Sequence, residues 1–208
     1  MITGIILAGG QSSRMGRDKA CLPVGEEALI EMVARRLWSS VDRLIVVGNS
    51  RNRSILARQL RGLQVDAVLT DLVSGCGPLM GIYTGLMASE TPLNVCVPCD
   101  MPWISARLLE RLLRACDDQT TIVAGRRPCD GAQPFPLVCH VSACRLIGGL
   151  LDRREHALQA LVRQPCARLV TVREPALWQS FTNINTWDDY GSLCRAPAMR
   201  EHGRRLDR

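Results

Sequence analysis

Long hydrophobic runs are absent from this sequence, and their absence excludes several classes of protein. No apolar stretch approaches the roughly 20 residues that a transmembrane helix needs. The apolar run at the N-terminus stops at Ala8 and has no basic residue ahead of it, so it is too short for a secretory leader. The sequence therefore predicts a cytoplasmic protein with no membrane partner.

Lysine is nearly absent as well. Lys and Arg together number 26, and Lys19 is the only lysine among them. The compact ammonium of lysine and the planar guanidinium of arginine bind anions differently. The ammonium is the better suited of the two to contact a crowded pair of phosphates. We therefore interpret Lys19 as a phosphate-binding residue. An ordinary exposed lysine left by chance is the alternative.

Aromatic residues are few, at 4% of the chain, and the C-terminal segment has none. This segment, residues 195–208, is rich in arginine and carries +3 of the net charge of +6. Because it offers no aromatic ring for bases to stack on, we predict no nucleic-acid partner and expect a flexible, solvated extension. Residues 1–194 suit a single domain, since the chain is 47% hydrophobic and can bury a sizeable core.

The ten cysteines are scattered along the chain and are not crowded into a small loop-rich segment. Reduced thiols therefore fit better than a disulfide framework. Cys96 and Cys99 form the only Cys-x-x-Cys, and without a second pair a zinc site is not expected. A thioredoxin-like redox pair is one interpretation of these two residues, and packing of a buried strand is the other.

The motif that organises the sequence covers residues 5–19. A β-branched apolar run ends at Leu7 and is followed by Gly9, Gly10 and a polar loop that contains Arg14 and Lys19. Glycines leave backbone N–H groups uncovered, so such a loop can wrap closely around an anion. Neither the Walker pattern nor the Rossmann Gly-x-Gly-x-x-Gly is present. The motif predicts a strand that leads into a phosphate-binding loop.

Alternating apolar strands and amphipathic helices follow this loop. They predict an α/β protein with a doubly wound, mostly parallel sheet. Pro134 and Pro136 interrupt one predicted strand, which should therefore be an edge strand or a bulged segment. The predicted strands cover residues 43–48, 65–69, 93–98, 120–124, 133–139 and 169–172, and the predicted helices cover 28–40, 54–60, 104–116, 146–151, 156–162 and 188–194, with a further helix opening at 76–82.

Polar residues follow several of the predicted strands. Right-handed crossovers would place Gly9, Asn49, Asp71 and Asp100 along one edge of the sheet. Asp100 is suited to hold Mg²⁺ as a hard oxygen ligand. The structural alternatives are a turn residue for Asp71 and a turn or helix cap for Asp100.

The pattern Leu-Ala-Gly-Gly-x-x-x-Arg-Met-Gly-x-Asp-Lys resembles the signature of nucleotidyltransferases, and within them it is most similar to molybdenum cofactor guanylyltransferases. The resemblance spans nearly the whole chain, through Gly77-Pro78-Leu79-x-Gly81, Cys99-Asp100-Met101-Pro102, Gln133-Pro134 and Asn183-Ile184-Asn185-Thr186. It implies a three-layer α/β/α fold, Rossmann-like and of the nucleotide-diphospho-sugar transferase type.

This resemblance also implies a reaction and its residues. GMP would be transferred from GTP to the phosphate of molybdopterin or molybdenum cofactor, with Mg²⁺ as cofactor and pyrophosphate as product. Molybdoenzymes or other cofactor-synthesis proteins would be further partners. Lys19, Arg14 and Asp100 would be catalytic, and Asp100 would bind the metal. The residues implied to bind GTP are Leu7, Ala8, Gly9, Gly10, Lys19, Asn49, Asp71 and Asp100.

Four residues are named for the pterin substrate: Gln133, Arg153, Asn183 and Asn185. An amide can donate and accept hydrogen bonds at once, and an arginine can clamp a phosphate in a bidentate manner. The alternatives are a helix cap for Asn185 and a solvated surface position for Arg153. The chain departs from the family pattern at Trp187, where proline is usual.

Two other functions stay open at this point. A related cytidylyltransferase would carry the same glycine loop. A nucleotide-binding adaptor that delivers cofactor without catalysis would not need both Lys19 and Asp100.

Overall fold

A computed structural model describes residues 1–10, 18–73, 75–117 and 120–196 of the 208-residue chain. Arg14, Gly16 and residues 197–208 of the Arg-rich segment lie outside the described residues. No helix in the described ranges is both long enough and apolar enough to cross a bilayer.

Strands and helices alternate along the chain, as the sequence predicts. In the described residues the strands are β1 (Ile2–Leu7), β2 (Pro23–Val24), β3 (Glu27–Ala28), β4 (Arg43–Gly48), β5 (Ala67–Thr70), β6 (Leu93–Pro98), β7 (Ile122–Arg126), β8 (Ala132–His140) and β9 (Ala167–Thr171). The helices are α1 (Leu29–Trp38), α2 (Arg53–Gln59), α3 (Gly77–Ala88), α4 (Ala106–Leu113), α5 (Ala143–Asp152), α6 (Leu158–Val162) and α7 (Trp187–Arg195). Short 3₁₀ helices cover Lys19–Cys21 and Pro175–Phe181.

Seven of these strands form one mostly parallel sheet in the order β5-β4-β1-β6-β8-β7-β9. Strand β1 is parallel to β4 and β6, β4 to β5, and β7 to β9, whereas β8 is antiparallel to both of its neighbours. The order reverses at β1, because the chain first adds strands on one side of it and then crosses to the other. The predicted doubly wound, mostly parallel sheet is confirmed.

Helices cover both faces of the sheet, which gives three layers. Side chains alternate along a strand, so Ile6 of β1 packs on one face while Ile5 packs on the other. The first face buries apolar residues of α1, α2 and α4, and the second buries those of α3, α5 and α6. Helices α1 to α6 therefore bury apolar residues on the two faces of the sheet, whereas Leu193 of α7 packs in a third, smaller cluster.

The prediction of an edge strand around Gln133 was wrong. Strand β8 lies inside the sheet between β6 and β7. Its pairing with β7 jumps from Leu137 opposite Ala124 to Gln133 opposite Gly125, so residues 134–136 bulge out of the ladder. Both prolines fall in this bulge, where a missing N–H costs no ladder hydrogen bond. The bulged alternative is the correct one.

Most other element boundaries differ from the predictions by a few residues, which is the usual uncertainty at frayed ends. The small hairpin of β2 and β3 was not predicted. It turns at Gly25, which has a φ of 64° and so uses a backbone conformation that favours glycine.

Candidate active site

A cavity of about 540 Å³ opens at the carboxyl ends of the parallel strands. Such strands end at a common edge, and ligands of open α/β sheets bind where the strand order reverses, here beside β1. The cavity brings together all eight residues implied to bind nucleotide. They are Leu7, Ala8, Gly9, Gly10, Lys19, Asn49, Asp71 and Asp100.

The glycine loop starts directly against a carboxylate. A Cβ atom built on Gly9 would lie 2.8 Å from Oδ2 of Asp71, and one built on Gly81 would lie 3.3 Å from its Oδ1. Strand β5 therefore delivers Asp71 into a slot between the loop and helix α3. Any larger residue at Gly9 would displace this carboxylate, which explains the glycine there.

Lys19 and Asp100 form an ion pair at the floor of the cavity, with 3.1 Å between Nζ and Oδ2. Both side chains are largely buried, with 16% and 14% exposure. Asn183 donates from Nδ2 to the other Asp100 oxygen, Oδ1, at 2.9 Å, and Lys19 also donates to Oδ1 of Asn185 at 3.1 Å. Residues from three distant parts of the chain thus form one hydrogen-bonded network.

Helix-cap interpretations of two network residues were wrong. Ser105, and not Asp100, caps α4 by accepting a hydrogen bond from the backbone N–H of Leu108 at 3.2 Å. Thr186, and not Asn185, caps α7, in a reciprocal capping box with Asp189. The side chains of Asp100 and Asn185 are therefore available for the cavity network.

The donor set at Asp100 fits a hard cation that is bound mainly through its substrate. Within the described ranges, no cluster of three or more His, Cys, Asp or Glu side chains could enclose a metal. Mg²⁺ commonly takes only one or two carboxylates from the protein and completes its octahedral shell with phosphates and water. Asp100 as the one carboxylate ligand agrees with that mode.

Asp71 lies in a different electrostatic environment. Its Oδ1 is buried and has no hydrogen-bond partner among the described residues. Burial raises the pKa of this carboxyl to about 6, because loss of solvation disfavours the charged form. The site therefore holds a carboxylate that gains stabilisation when a ligand donates a hydrogen bond to it.

We expect the Asp71→Asn variant to be more stable than wild type above pH 6. The pKa of Asp71 is higher in the folded state than in the unfolded state. Between these two pKa values the folded wild type binds more protons than the unfolded chain, so its stability falls as the pH rises from about 4 to 6. The variant has no ionisable group at this position, so it keeps the stability that wild type loses. We expect this difference in the free energy of unfolding to be about 2 kcal/mol, after allowance for the partial exposure of Asp71. Unfolding temperatures at pH 4 and pH 8 test this.

The control for this experiment is Asp152→Asn, at an exposed position of α5. The stabilisation should appear at pH 8, should be small at pH 4, and should be absent from the control. An Asp71→Asn protein with the same pH profile as wild type would contradict the proposed desolvation of Asp71.

Asn49 and Asn52 organise the turn after β4. Asn49 donates from Nδ2 to the carbonyl of Gly9 at 3.1 Å, and its Oδ1 accepts from the backbone N–H groups of Arg51 and Asn52. Asn52 was not predicted. Its position three residues after Asn49, in the same strand-end loop, is the signal that could have identified it.

The residues named for the pterin do not lie together. Asn183 and Asn185 belong to the network around Asp100. Gln133 and Arg153 are not part of the cavity lining, and Arg153 instead pairs with Glu155 at 3.1 Å on the surface. Phe135, from the bulge of β8, lines the cavity in place of Gln133.

Cys96 and Cys99 pack on opposite faces of the sheet, and Cys99 also lines the cavity. Cys96 is fully buried within β6, and Cys99 is nearly so. Burial raises the pKa of the Cys99 thiol well above its usual range, and the nearby Asp100 and Asp18 charges add to the rise. Reactive thiols have lowered pKa values, so the redox interpretation does not fit. All ten cysteines of the chain are described, and each is a free thiol.

A glycine loop, a lysine and a carboxylate at the switch point of this fold define a nucleotidyltransferase. A family model described as a MobA-like NTP transferase domain matches residues 4–175. The chain belongs to this family.

A curated relative agrees with this assignment, and solved structures share the fold. The chain is 33% identical to the "Probable molybdenum cofactor guanylyltransferase" of Pelotomaculum thermopropionicum over 97% of this chain and 95% of the relative. A solved structure of molybdopterin-guanine dinucleotide biosynthesis protein A from Archaeoglobus fulgidus has a TM-score of 0.75 at 20% identity, covering 92% and 96% of the two chains. Rv0371c from Mycobacterium tuberculosis H37Rv, solved as a complex with manganese, has a TM-score of 0.66 at 22% identity, covering 94% and 98%.

Proposed function

We propose that this enzyme is a molybdenum cofactor guanylyltransferase. It transfers GMP from GTP to the terminal phosphate of molybdopterin or molybdenum cofactor and releases pyrophosphate. The observation that carries the proposal is the buried Lys19–Asp100 ion pair at the edge of the glycine loop. Relatives at about 30% identity that are named for this activity support the choice of nucleotide and acceptor.

The nucleotide occupies the side of the cavity formed by β1, β4 and β5. Residues 7–10 and Lys19 hold the triphosphate, together with Arg14. Asn49 and Asp71 contact the nucleoside, where a donor from the base or the ribose gives Asp71 Oδ1 the hydrogen bond that it lacks among the described residues.

The transfer requires alignment more than acid–base chemistry. An oxygen of the acceptor phosphate attacks the α-phosphorus of GTP, a new P–O bond forms, and the bond from that phosphorus to the α,β-bridging oxygen breaks. Pyrophosphate leaves with the electron pair. No general base is needed, because a phosphate monoester is already ionised near neutral pH. Lys19 neutralises charge that develops on the phosphates.

Asp100 would hold Mg²⁺ in the metal–nucleotide complex, and the metal would supply further neutralisation of phosphate charge. In the structure, Lys19 and Asn183 each bind one Asp100 oxygen. These contacts fix the orientation of the carboxylate. When a metal has few ligands from the protein, the carboxylate that binds it needs partners of this kind to hold its position.

The acceptor approaches from the opposite side, between the β8 bulge and the loop before α7. Asn183 and Asn185 reach this side and hold donors and acceptors for a pterin edge or a phosphate. Gln133 and Arg153 do not line the cavity, so no role in binding the acceptor is proposed for them. Molybdoenzymes or cofactor-synthesis proteins as partners, and a cytoplasmic location, remain predictions.

Titration of the protein with GTP, CTP and ATP in the presence of Mg²⁺ tests the nucleotide assignment. We expect selective binding of GTP, followed by pyrophosphate release only when molybdopterin is added. Preferential binding of CTP would indicate a cytidylyltransferase instead. GTP binding without pyrophosphate release on addition of molybdopterin would contradict the proposed acceptor.

A further inference from the structure

Asn52 lies in the turn between β4 and α2, is only 3% exposed, and makes three hydrogen bonds through its side chain. Its Nδ2 donates to the carbonyl of Ala8 at 2.8 Å and to Oδ2 of Asp18 at 2.7 Å. Its Oδ1 accepts from the backbone N–H of Asn49 at 2.8 Å. Both amide hydrogens and the amide oxygen are therefore in use.

The two acceptors lie at opposite ends of the glycine loop. Ala8 is the first residue after β1, and Asp18 directly precedes Lys19. The other oxygen of Asp18 accepts from the backbone N–H of Ala20 at 3.0 Å and so caps the 3₁₀ turn that carries Lys19. One amide group thus joins the start of the loop to the turn that presents the lysine.

The end of β4 is shaped to admit this side chain. A Cβ atom built on Gly48 would lie 2.5 Å from Oδ1 of Asn52, closer than two such atoms can approach. If the Asn52 amide only stabilised its own turn, its hydrogen bond with Asn49 would be sufficient. Contacts to residues 44 and 34 positions away, one of them a carboxylate, are additional to that role.

We propose that Asn52 is a positioning residue that clamps the end of β1 to the turn that carries Lys19 and so sets residues 8–10 and the lysine for triphosphate binding. This inference rests on the proposed function of the site. Groups that are already fixed relative to one another lose less freedom when a ligand binds between them, so the clamp increases affinity. A carboxylate or an apolar residue at position 52 could not provide two donors.

The test compares Asn52→Ser with Asn94→Ser by titration with GTP and Mg²⁺ and by thermal unfolding. Asn94 is the matched control, because it is a fully buried asparagine near the start of β6, at the sheet edge opposite the cavity. Both variants lose a buried amide and should lose stability. Only Asn52→Ser should raise the Kd for GTP, by about tenfold or more, the expected effect of losing a hydrogen bond to a charged group.

A second pair of variants exchanges the two partners. Asn52→Asp places two carboxylates against each other and should weaken GTP binding more than Asn52→Ser does. In the double variant Asn52→Asp/Asp18→Asn, the amide and the carboxylate change sides, so the bond between residues 52 and 18 can form again, whereas the bond to the Ala8 carbonyl cannot, because a carboxylate has no donor. We expect the double variant to recover part of the affinity that Asn52→Asp loses, which a general loss of stability would not produce.

The outcomes separate this inference from the proposed function. Wild-type protein that binds GTP with the same Kd as Asn52→Ser would overturn the clamp alone. If the double variant binds GTP no more tightly than Asn52→Asp does, the clamp is also overturned. This comparison can be made even if Asn52→Ser does not fold. Wild-type protein that binds no nucleotide would overturn the proposed function, and the clamp with it.

Discussion

The Asp100→Asn variant is expected to lose about a thousandfold in kcat/KM for nucleotidyl transfer, because it loses the charge that holds the metal–nucleotide complex. Asparagine has the shape of aspartate and keeps an oxygen that can accept from Lys19. The backbone carbonyl of residue 100, which accepts from the N–H of Ile184 at 2.9 Å, is untouched. The fold should therefore survive the substitution, and the loss should lie in catalysis.

Pyrophosphate release at increasing Mg²⁺ concentration is the measurement for this prediction. Asp42→Asn is a suitable control, since Asp42 is about half exposed and accepts from the N–H of Ile2 at the far end of the sheet. The control should keep wild-type activity, and both variants should unfold near the wild-type temperature. Activity of Asp100→Asn with unchanged Mg²⁺ dependence would exclude Asp100 as the metal ligand.

Much of the fold could be predicted because local and global signals agree. Strands β4 and β6 were predicted at their observed bounds, since each is a continuous apolar run between turn residues. Parallel pairing with right-handed crossovers then places the residues after these strands at one edge. Asn49 and Asp100 line the same cavity for this reason.

The position of β8 could not be predicted from its own residues. Two prolines in a strand favour an edge position when only the local sequence is considered. Only the pairing of β8 with β6 and β7 shows that the bulge removes these prolines from the ladder. The alternation of strands and helices also stops in this region. Sequence separation along the chain then carries no information about which strands are neighbours.

The partners of the site residues were equally hidden from the sequence. Asn183 lies 83 residues from Asp100, and Asn52 lies 34 residues from Asp18. An asparagine in a loop is typical of turns and caps, so its residue type alone does not reveal a long-range contact. Only the fold shows that these amides bind Asp100 and Asp18 across such distances.

Two of the carboxylates that line the cavity, Asp71 and Asp100, show how the fold assigns different tasks to one residue type. Asp100 has a cation and an amide on its two oxygens, whereas Asp71 has a buried oxygen without a partner in the described ranges. The first is held in one orientation by these two partners. The second is destabilised until a ligand donates a hydrogen bond to it, so it favours the ligated over the unligated site.

Replacement of Lys19 by arginine should lower kcat/KM by about a hundredfold although the charge is kept. The ammonium lies 3.1 Å from both Asp100 Oδ2 and Asn185 Oδ1, so one compact donor serves two acceptors on different loops. A guanidinium is larger and planar, and with a side chain only 16% exposed there is little room for it to turn. Lys19→Met, which also removes the charge, should lose more activity.

Because Lys19 is the only lysine, its reactivity can be followed without other labelled side chains. Reductive methylation should modify the N-terminal amine and Lys19 alone, and GTP with Mg²⁺ should protect Lys19 while the N-terminus remains reactive. Protection would show that the ammonium is covered by the nucleotide. Equal modification with and without GTP, or a Lys19→Arg enzyme as active as wild type, would mean that the single lysine has no special part in phosphate binding. In that case the charge of the loop would have to be supplied by arginine, the cation that this chain uses everywhere else.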